Sequence, residues 1–185
     1  MTHAYLIIAH NEFELLKILM KQLDYANNDI YVLIDKKVKN FDKSEITEQI
    51  KNADISFVER INIHWAGVSL IDAELILLKN AIQKHHDYYH LISGVDLPIK
   101  SQKQIDEFFE KNKGKEFVSF DSKACETNNF LDRVKYYHLQ KLSNIIIRNV
   151  DNILFNIQKA LNINRIKKLN VSFKKGSNWF DITHE

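Results

Sequence analysis

Residues 87–100 read DYYHLISGVDLPIK, and their reading decides the fold. Residues 88–92 are aromatic and aliphatic, the composition of a buried strand, and they run into Ser93-Gly94, residue types that let a backbone turn. The strand ends there. Val95 and Asp96 follow, then Pro98, the single proline of the chain, and then Ser101-Gln102-Lys103-Gln104, a Ser-x-x-Gln capping box that opens a helix. In an open α/β sheet the loop leaving a strand's carboxyl end is where ligands sit, which places Asp96 where chemistry happens. The same residues also fit a tight turn whose Asp caps backbone N–H groups. Both readings stand at this point.

The 185 residues suffice for one sizeable core, and a hydrophobic share of 45% is that of a soluble globular domain. Apolar runs such as residues 5–9 and 145–147 fall far below the roughly 20 residues of a spanning helix. Residues 1–10 show neither a basic start nor a long apolar region, so no secretory signal is expected. Cys125 is the only cysteine, with no partner for a disulfide or a metal site, which fits a reducing cytosol and a structural or incidental role. The expected location is cytoplasmic, with peripheral attachment to the inner face of the membrane as an extension. Charge is uneven: residues 133–185 hold 10 Lys+Arg against 3 Asp+Glu, whereas residues 1–132 hold 16 against 21. The basic third suits an anionic lipid surface, a nucleotide diphosphate or a nucleic acid, or it is simply a solvated face.

In chain order, residues 4–9 (AYLIIA) form a short apolar run of the buried-strand kind, followed by His10-Asn11-Glu12 and a helical spacing of Phe13, Leu15, Leu16, Leu19 and Leu23 up to Tyr25. Residues 30–34 (IYVLI) give a second strand ending on Asp35-Lys36-Lys37, with residues 44–51 helical. Residues 55–58 give a third strand, residues 61–67 a loop, and Ser69 with Asp72 a second capping box opening a helix through Gln83. After the strand at 88–92 come a helix at 102–111 and a strand at 117–120. Strands alternating with helices predict a Rossmann-like α/β fold, a mostly parallel sheet with helices on both faces. No linker or repeat interrupts residues 1–185, which read as a single domain whose texture changes near Ser122. Beyond it, residues 142–161 suggest a helix, and residues 171–182 a strand or loop around Gly176-Ser177-Asn178-Trp179.

No G-x-G-x-x-G, no P-loop and no zinc spacing of Cys and His occurs. What remains are loop residues at strand ends: His10, Asp35, His64-Trp65 and Asp96, which a doubly wound fold lines up along one edge, where a nucleotide would be gripped. An acid ending the second strand accepts hydrogen bonds from a ribose or a base. Asp35 is followed by Lys36 and Lys37, not by the second carboxylate of an Asp-x-Asp metal pair, so a divalent cation would be repelled.

AYLIIAHN, IYVLIDKK, IHWAGVSLIDAELILLKNAI, DYYHLISGVDLPIKSQKQIDEFF and GSNWFDIT, in that order, resemble the motifs of the core-2/I-branching β-1,6-N-acetylglucosaminyltransferase family, which also contains the peptide O-xylosyltransferases. The resemblance implies a GT-A-type fold, a UDP-sugar donor carrying N-acetylglucosamine or xylose, a glycan or other hydroxyl acceptor, and inversion at the anomeric carbon. It implies no cofactor and no obligatory metal. By motif, Ile8, Ala9, His10, Asp35, His64 and Trp65 would bind the donor, while Asp96, Asn178 and Trp179 would face the sugar or the acceptor. The family often carries Arg where His64 stands. Its general base is a Glu beyond the GS-x-W-F motif, and since this chain stops at Glu185 a shortened, bacterial-type product lacking that base is expected, its activity in doubt for that reason. Peripheral contact with an anionic membrane is a further expectation, and nucleic acid is not an expected partner of the enzyme. The alternative is a non-catalytic module that holds anionic lipid or nucleic acid through its basic third, or a decayed fragment without activity.

Overall fold

A computed structural model describes residues 1–64, 67–127, 130–139 and 145–185. The chain forms two compact units, residues 1–118 with 178–185, and residues 119–177. The first is built on strands β1 (His3–Ala9), β2 (Asn28–Ile34), β3 (Asp54–Phe57) and β4 (Tyr88–Ser93), and helices α1 (Phe13–Gln22), α2 (Ser44–Thr47), α3 (Val68–Ala81) and α4 (Gln102–Lys111). With β5 (Phe117–Phe120) and β6 (Gly176–Thr183) the strands make a six-stranded sheet in the order β3-β2-β1-β4-β6-β5. β2, β1 and β4 run parallel, as do β2 and β3, and β6 is antiparallel to β4.

β1 and β2 are buried along their whole length, the signature of strands covered on both faces. Alternation then assigns the side chains. Leu6, Ile8, Leu33 and Leu91 pack against Ala73, Leu77 and Ala81 of α3, whose small residues let the helix lie close to the sheet. On the other face Tyr5, Ile7, Ile30 and Val32 meet Leu16, Leu19 and Met20 of α1 and Ile46 of α2. Each fully buried Leu or Ile here contributes about 1.5–3 kcal/mol of transfer free energy, so the two central strands hold the unit together.

Several element ends differ from the sequence reading. α1 stops at Gln22, short of Tyr25, because Asp24 is used elsewhere: its Oδ1 accepts from the amides of Asn52 (2.7 Å) and Ala53 (2.9 Å), tying the loop before β3 to the end of α1. Burial works to raise the Asp24 pKa, and these amide bonds outweigh it and hold the carboxyl below its ordinary range. The Ser69/Asp72 box is not formed. α3 begins two residues earlier, with Gly67 at its N-cap and no side-chain cap, and Ser69 Oγ instead accepts from His64 N at 2.7 Å. The Ser101/Gln104 box of α4 is formed in both directions.

The second unit contains α5 (Ser122–Thr127), α6 (Leu131–Lys135) and α7 (Ile145–Ala160); α5 and α6 had no counterpart in the sequence reading, and residues 142–144 of the expected helix lie outside the described residues. α7 is held by one face. Gln158, buried, accepts from Tyr137 N at 2.8 Å and donates to Tyr137 O at 2.9 Å, standing in for a strand partner. Asp151 accepts from Leu139 N at 2.6 Å, and Phe155 meets Tyr136 edge-on at 5.1 Å between ring centroids.

Inside the first unit a polar chain crosses the sheet. His3 Nδ1 lies 2.8 Å from His90 Nε2, His90 Nδ1 lies 2.7 Å from Asp181 Oδ1 and His3 Nε2 lies 3.1 Å from Asp106 Oδ1. Three links need three N–H protons, and two neutral imidazoles carry two. Burial, with His90 adding to it and Asp106 opposing, lowers the His3 pKa to about 4, so His3 itself is uncharged at neutral pH.

Candidate active site

The parallel register sets Ile8 level with Leu33 on one side and with Ser93 on the other, so β1, β2 and β4 end together. Their loops share one edge of the sheet. A cavity of about 320 Å³ opens there, lined from the strand ends by Ile8, His10, Asp35 and Ser93, from the flanks by Lys37, Ile63 and Leu70, and from β6 by Asn178 and Trp179. Its volume is at the lower end of small-molecule sites and suits a nucleoside more closely than an entire nucleotide sugar.

Asp35 is the buried charge of this cavity, 5% exposed. Its Oδ1 accepts from Lys37 N at 2.9 Å and Ile63 N at 3.4 Å, and its Oδ2 lies 3.5 Å from Lys37 Nζ. Lys37 Nζ also donates to Ile63 O. One carboxylate oxygen is thus committed to the loop, and the other shares the cavity with an ammonium group. Arg60 fastens the loop from behind: Nε donates to Ile34 O at 3.2 Å, and Nη2 donates to Asp35 O at 2.9 Å and to Val38 O. With Asp35 N bonded to Ala9 O at 2.9 Å, the backbone around the carboxylate is fixed on both sides. Among the described residues no group of three His, Cys, Asp or Glu stands together that would hold a metal ion.

Of the residues singled out in the sequence, Ile8, His10, Asp35, Asn178 and Trp179 meet in this one cavity. Ala9 does not line it: 2% exposed, its side chain packs within the core and against Gly94. Gly94 stands in the turn that the sequence suggested, directly after β4, with a φ that is not positive, and a Cβ built on it would stand 2.5 Å from Ala9 Cβ, so this glycine also permits a close approach. Asp96 does not line the cavity either. Its Oδ2 accepts from Ser93 N at 2.7 Å and from Ser93 Oγ at 2.9 Å, the tight-turn reading, and it acts by placing Ser93, which does line the cavity. His64 is exposed and outside the lining, and Trp65 lies outside the described residues.

Lys37, Ile63, Leu70 and Ser93 join the site without having been read as members of it. Lys37 had a signal, its place two residues past Asp35; Ile63 and Leu70 had none, since an apolar loop residue and an apolar helix residue look like core. The loop after β1 carries a further oddity: Glu12, before the first turn of α1, sits in the left-handed region with φ 50 and ψ 49. For a non-glycine residue that conformation costs on the order of 1 kcal/mol.

The sequence matches the family model described as Core-2/I-Branching enzyme over residues 3–185. No curated protein matches it. Among solved structures, the crystal structure of S. aureus TarS is similar with a TM-score of 0.42 and 21% identity, covering 64% of this chain and 21% of that one. The chain therefore spans about a fifth of that protein's length. Among the described residues no helix is long and apolar enough to cross a membrane.

Proposed function

Because the chain belongs to the Core-2/I-Branching enzyme family, we propose that it is the donor-binding part of an inverting glycosyltransferase that uses a UDP-sugar, with N-acetylglucosamine or xylose as the sugar and a glycan hydroxyl as acceptor. The observation that carries this reading is the family match over residues 3–185 together with a nucleoside-sized cavity at the carboxyl ends of the parallel strands. Ile8, Ile63 and Leu70 supply apolar walls for a uracil ring, and Trp179 a further aromatic one. Asp35 Oδ2 accepts from a uracil N–H or a ribose hydroxyl, and Lys37 brings positive charge to the phosphates. The single carboxylate beside an ammonium group supports charge neutralisation by side chains, with no obligatory metal.

In the reaction the acceptor oxygen forms a bond to the anomeric carbon as the bond from that carbon to the β-phosphate oxygen breaks on the opposite face. UDP departs with the electron pair, and the acceptor's proton passes to a carboxylate. Asp35 is poorly suited to that last task, since its loop bonds hold it at the nucleoside end. We assign the base to no residue of this cavity. A cytoplasmic setting accords with this reading, because UDP-sugars and a lone thiol both fit it.

Calorimetric titration with UDP tests the proposal. Saturable heat is expected from the unaltered protein, and Asp35→Asn, which keeps an oxygen for Lys37 N but loses the charge, should weaken binding at least ~10-fold without changing the circular dichroism spectrum. Absence of heat at millimolar UDP would overturn it.

A further inference from the structure

The inner face of α7 is consumed by its contacts with residues 136–139, and its outer face is left apolar and open. Val150, Ile153, Ile157 and Leu161 recur at helical spacing along one side and are 46%, 60%, 50% and 67% exposed. Such a row facing water is unfavourable unless something covers it. The charge around it says what would. Residues 119–177 hold 11 Lys+Arg against 4 Asp+Glu. Three of those four acids are already engaged within the unit: Asp121 with Lys175 at 2.8 Å, Asp132 with Lys159 at 3.4 Å, and Asp151 with His138 at 3.2 Å. The remaining cations carry an uncompensated surplus, and Arg133, Arg165, Lys167, Lys168 and Lys174 are exposed. Lys167 and Lys168 follow Leu161 closely. Asn162, in the left-handed region with φ 53, ends the helix, and the bonds Ile163 N to Gln158 O and Arg165 N to Lys135 O fold the chain back at once. Six residues of a turning chain keep Lys167 within roughly 20 Å of the end of the apolar row.

We propose that α7 is an interfacial helix by which the second unit docks on an anionic lipid surface, the row Val150–Ile153–Ile157–Leu161 entering the headgroup boundary while the surplus Lys and Arg meet the lipid charges. A helix of 16 residues lying in the plane of the interface needs no spanning length, and an apolar row and a basic surround are the two signals that together give stable attachment. A protein partner would have to match both an apolar row and a strong positive field; an anionic bilayer offers both in one surface. This inference stands on residues 119–177 alone and does not depend on what the cavity of the first unit binds.

Co-sedimentation of the full chain with vesicles of equal parts phosphatidylglycerol and phosphatidylcholine, against pure phosphatidylcholine, is the test. Retention at least ~10-fold stronger on the anionic vesicles is expected, falling as salt is raised from 50 to 300 mM on the order of the Debye screening change. Ile153→Asn with Ile157→Asn should reduce it at least ~10-fold at fixed salt, and Lys167→Gln with Lys168→Gln roughly 25-fold, with a shallower salt dependence. All four positions are exposed, so an unchanged thermal melt is the expected check on folding. The proposal is overturned if both lipid compositions retain the protein equally, or if the Asn pair leaves anionic retention intact. It is overturned too if the unaltered protein ignores vesicles but forms a dimer that the Asn pair dissolves, which would give the row to a second copy of the chain, or binds DNA instead.

Discussion

At the scale of single residues, the contact between Gly94 and Ala9 brings the chain just after β4 against the end of β1. Gly94→Ala would drive one methyl into another, and overpacking of this kind costs about 1–3 kcal/mol. The urea midpoint should fall accordingly, and Ala9→Gly in the same chain should restore most of the loss although alone it removes a buried methyl. A double-mutant cycle with no coupling between the two positions would refute the account. This pair also shows how far residues speak for themselves. In the sequence, Ala9 sits between Ile8 and His10 and looks like a third member of a binding motif, yet the two-residue alternation of β1 turns its side chain to the core. Asp35 and His10 were legible because they directly follow strands. Leu70 and Ile63 were not, because membership of a cavity is decided by tertiary position and leaves no mark on an apolar side chain.

Among elements, the two Ser-initiated boxes make a natural comparison. Ser101 and Gln104 bond reciprocally at the start of α4, so Ser101→Ala should cost about 1 kcal/mol in thermal or urea unfolding. Ser69→Ala removes no cap from α3. It releases His64 N, and its expected effect is a small change in global stability, under about 0.5 kcal/mol, with faster amide exchange confined to the loop around His64. Equal losses from the two substitutions would mean that α3 relies on Ser69 after all. The two patterns differ in their last residue, Asp72 against Gln104, and Gly67, two residues before Ser69, takes an extended conformation that lets α3 start early. β1, β2, β4 and α4 were readable from hydrophobic period because each buries a regular set of positions. β6 was not, as its first half is exposed and its pairing with β4 is antiparallel at the end of a long excursion through the second unit. α5 and α6, of six and five residues, are too short to show a period.

For the whole molecule, the buried His3–His90 chain makes stability depend on acidity. A His3 pKa lowered from 6.5 to about 4 means that the unfolded chain binds the proton more readily over that window, so stability is full above pH 6.5 and declines as the pH falls towards 4. The loss from this group approaches roughly 3 kcal/mol at the lower limit. Urea midpoints measured at intervals between pH 7 and pH 4 should trace that decline, and His3→Gln should flatten it while lowering stability at pH 7. A profile unchanged by the substitution would place the titrating group elsewhere. The α/β architecture was legible from the alternation of strands and helices. The open side of α7 was not, because whether an apolar position of an amphipathic helix meets a neighbour or water depends on which of its two apolar faces the rest of the unit claims.

The guanidinium of Arg60, spread over the carbonyl oxygens of Ile34, Asp35 and Val38, behaves as a rivet through the rim of the cavity at the strand ends. A riveted rim neither widens nor slides to admit a larger ligand. Changing what this protein accepts is therefore a matter of exchanging wall residues such as Ile63 or Leu70, and an engineer who loosened the rim by trimming Arg60 would gain slackness, not a new preference.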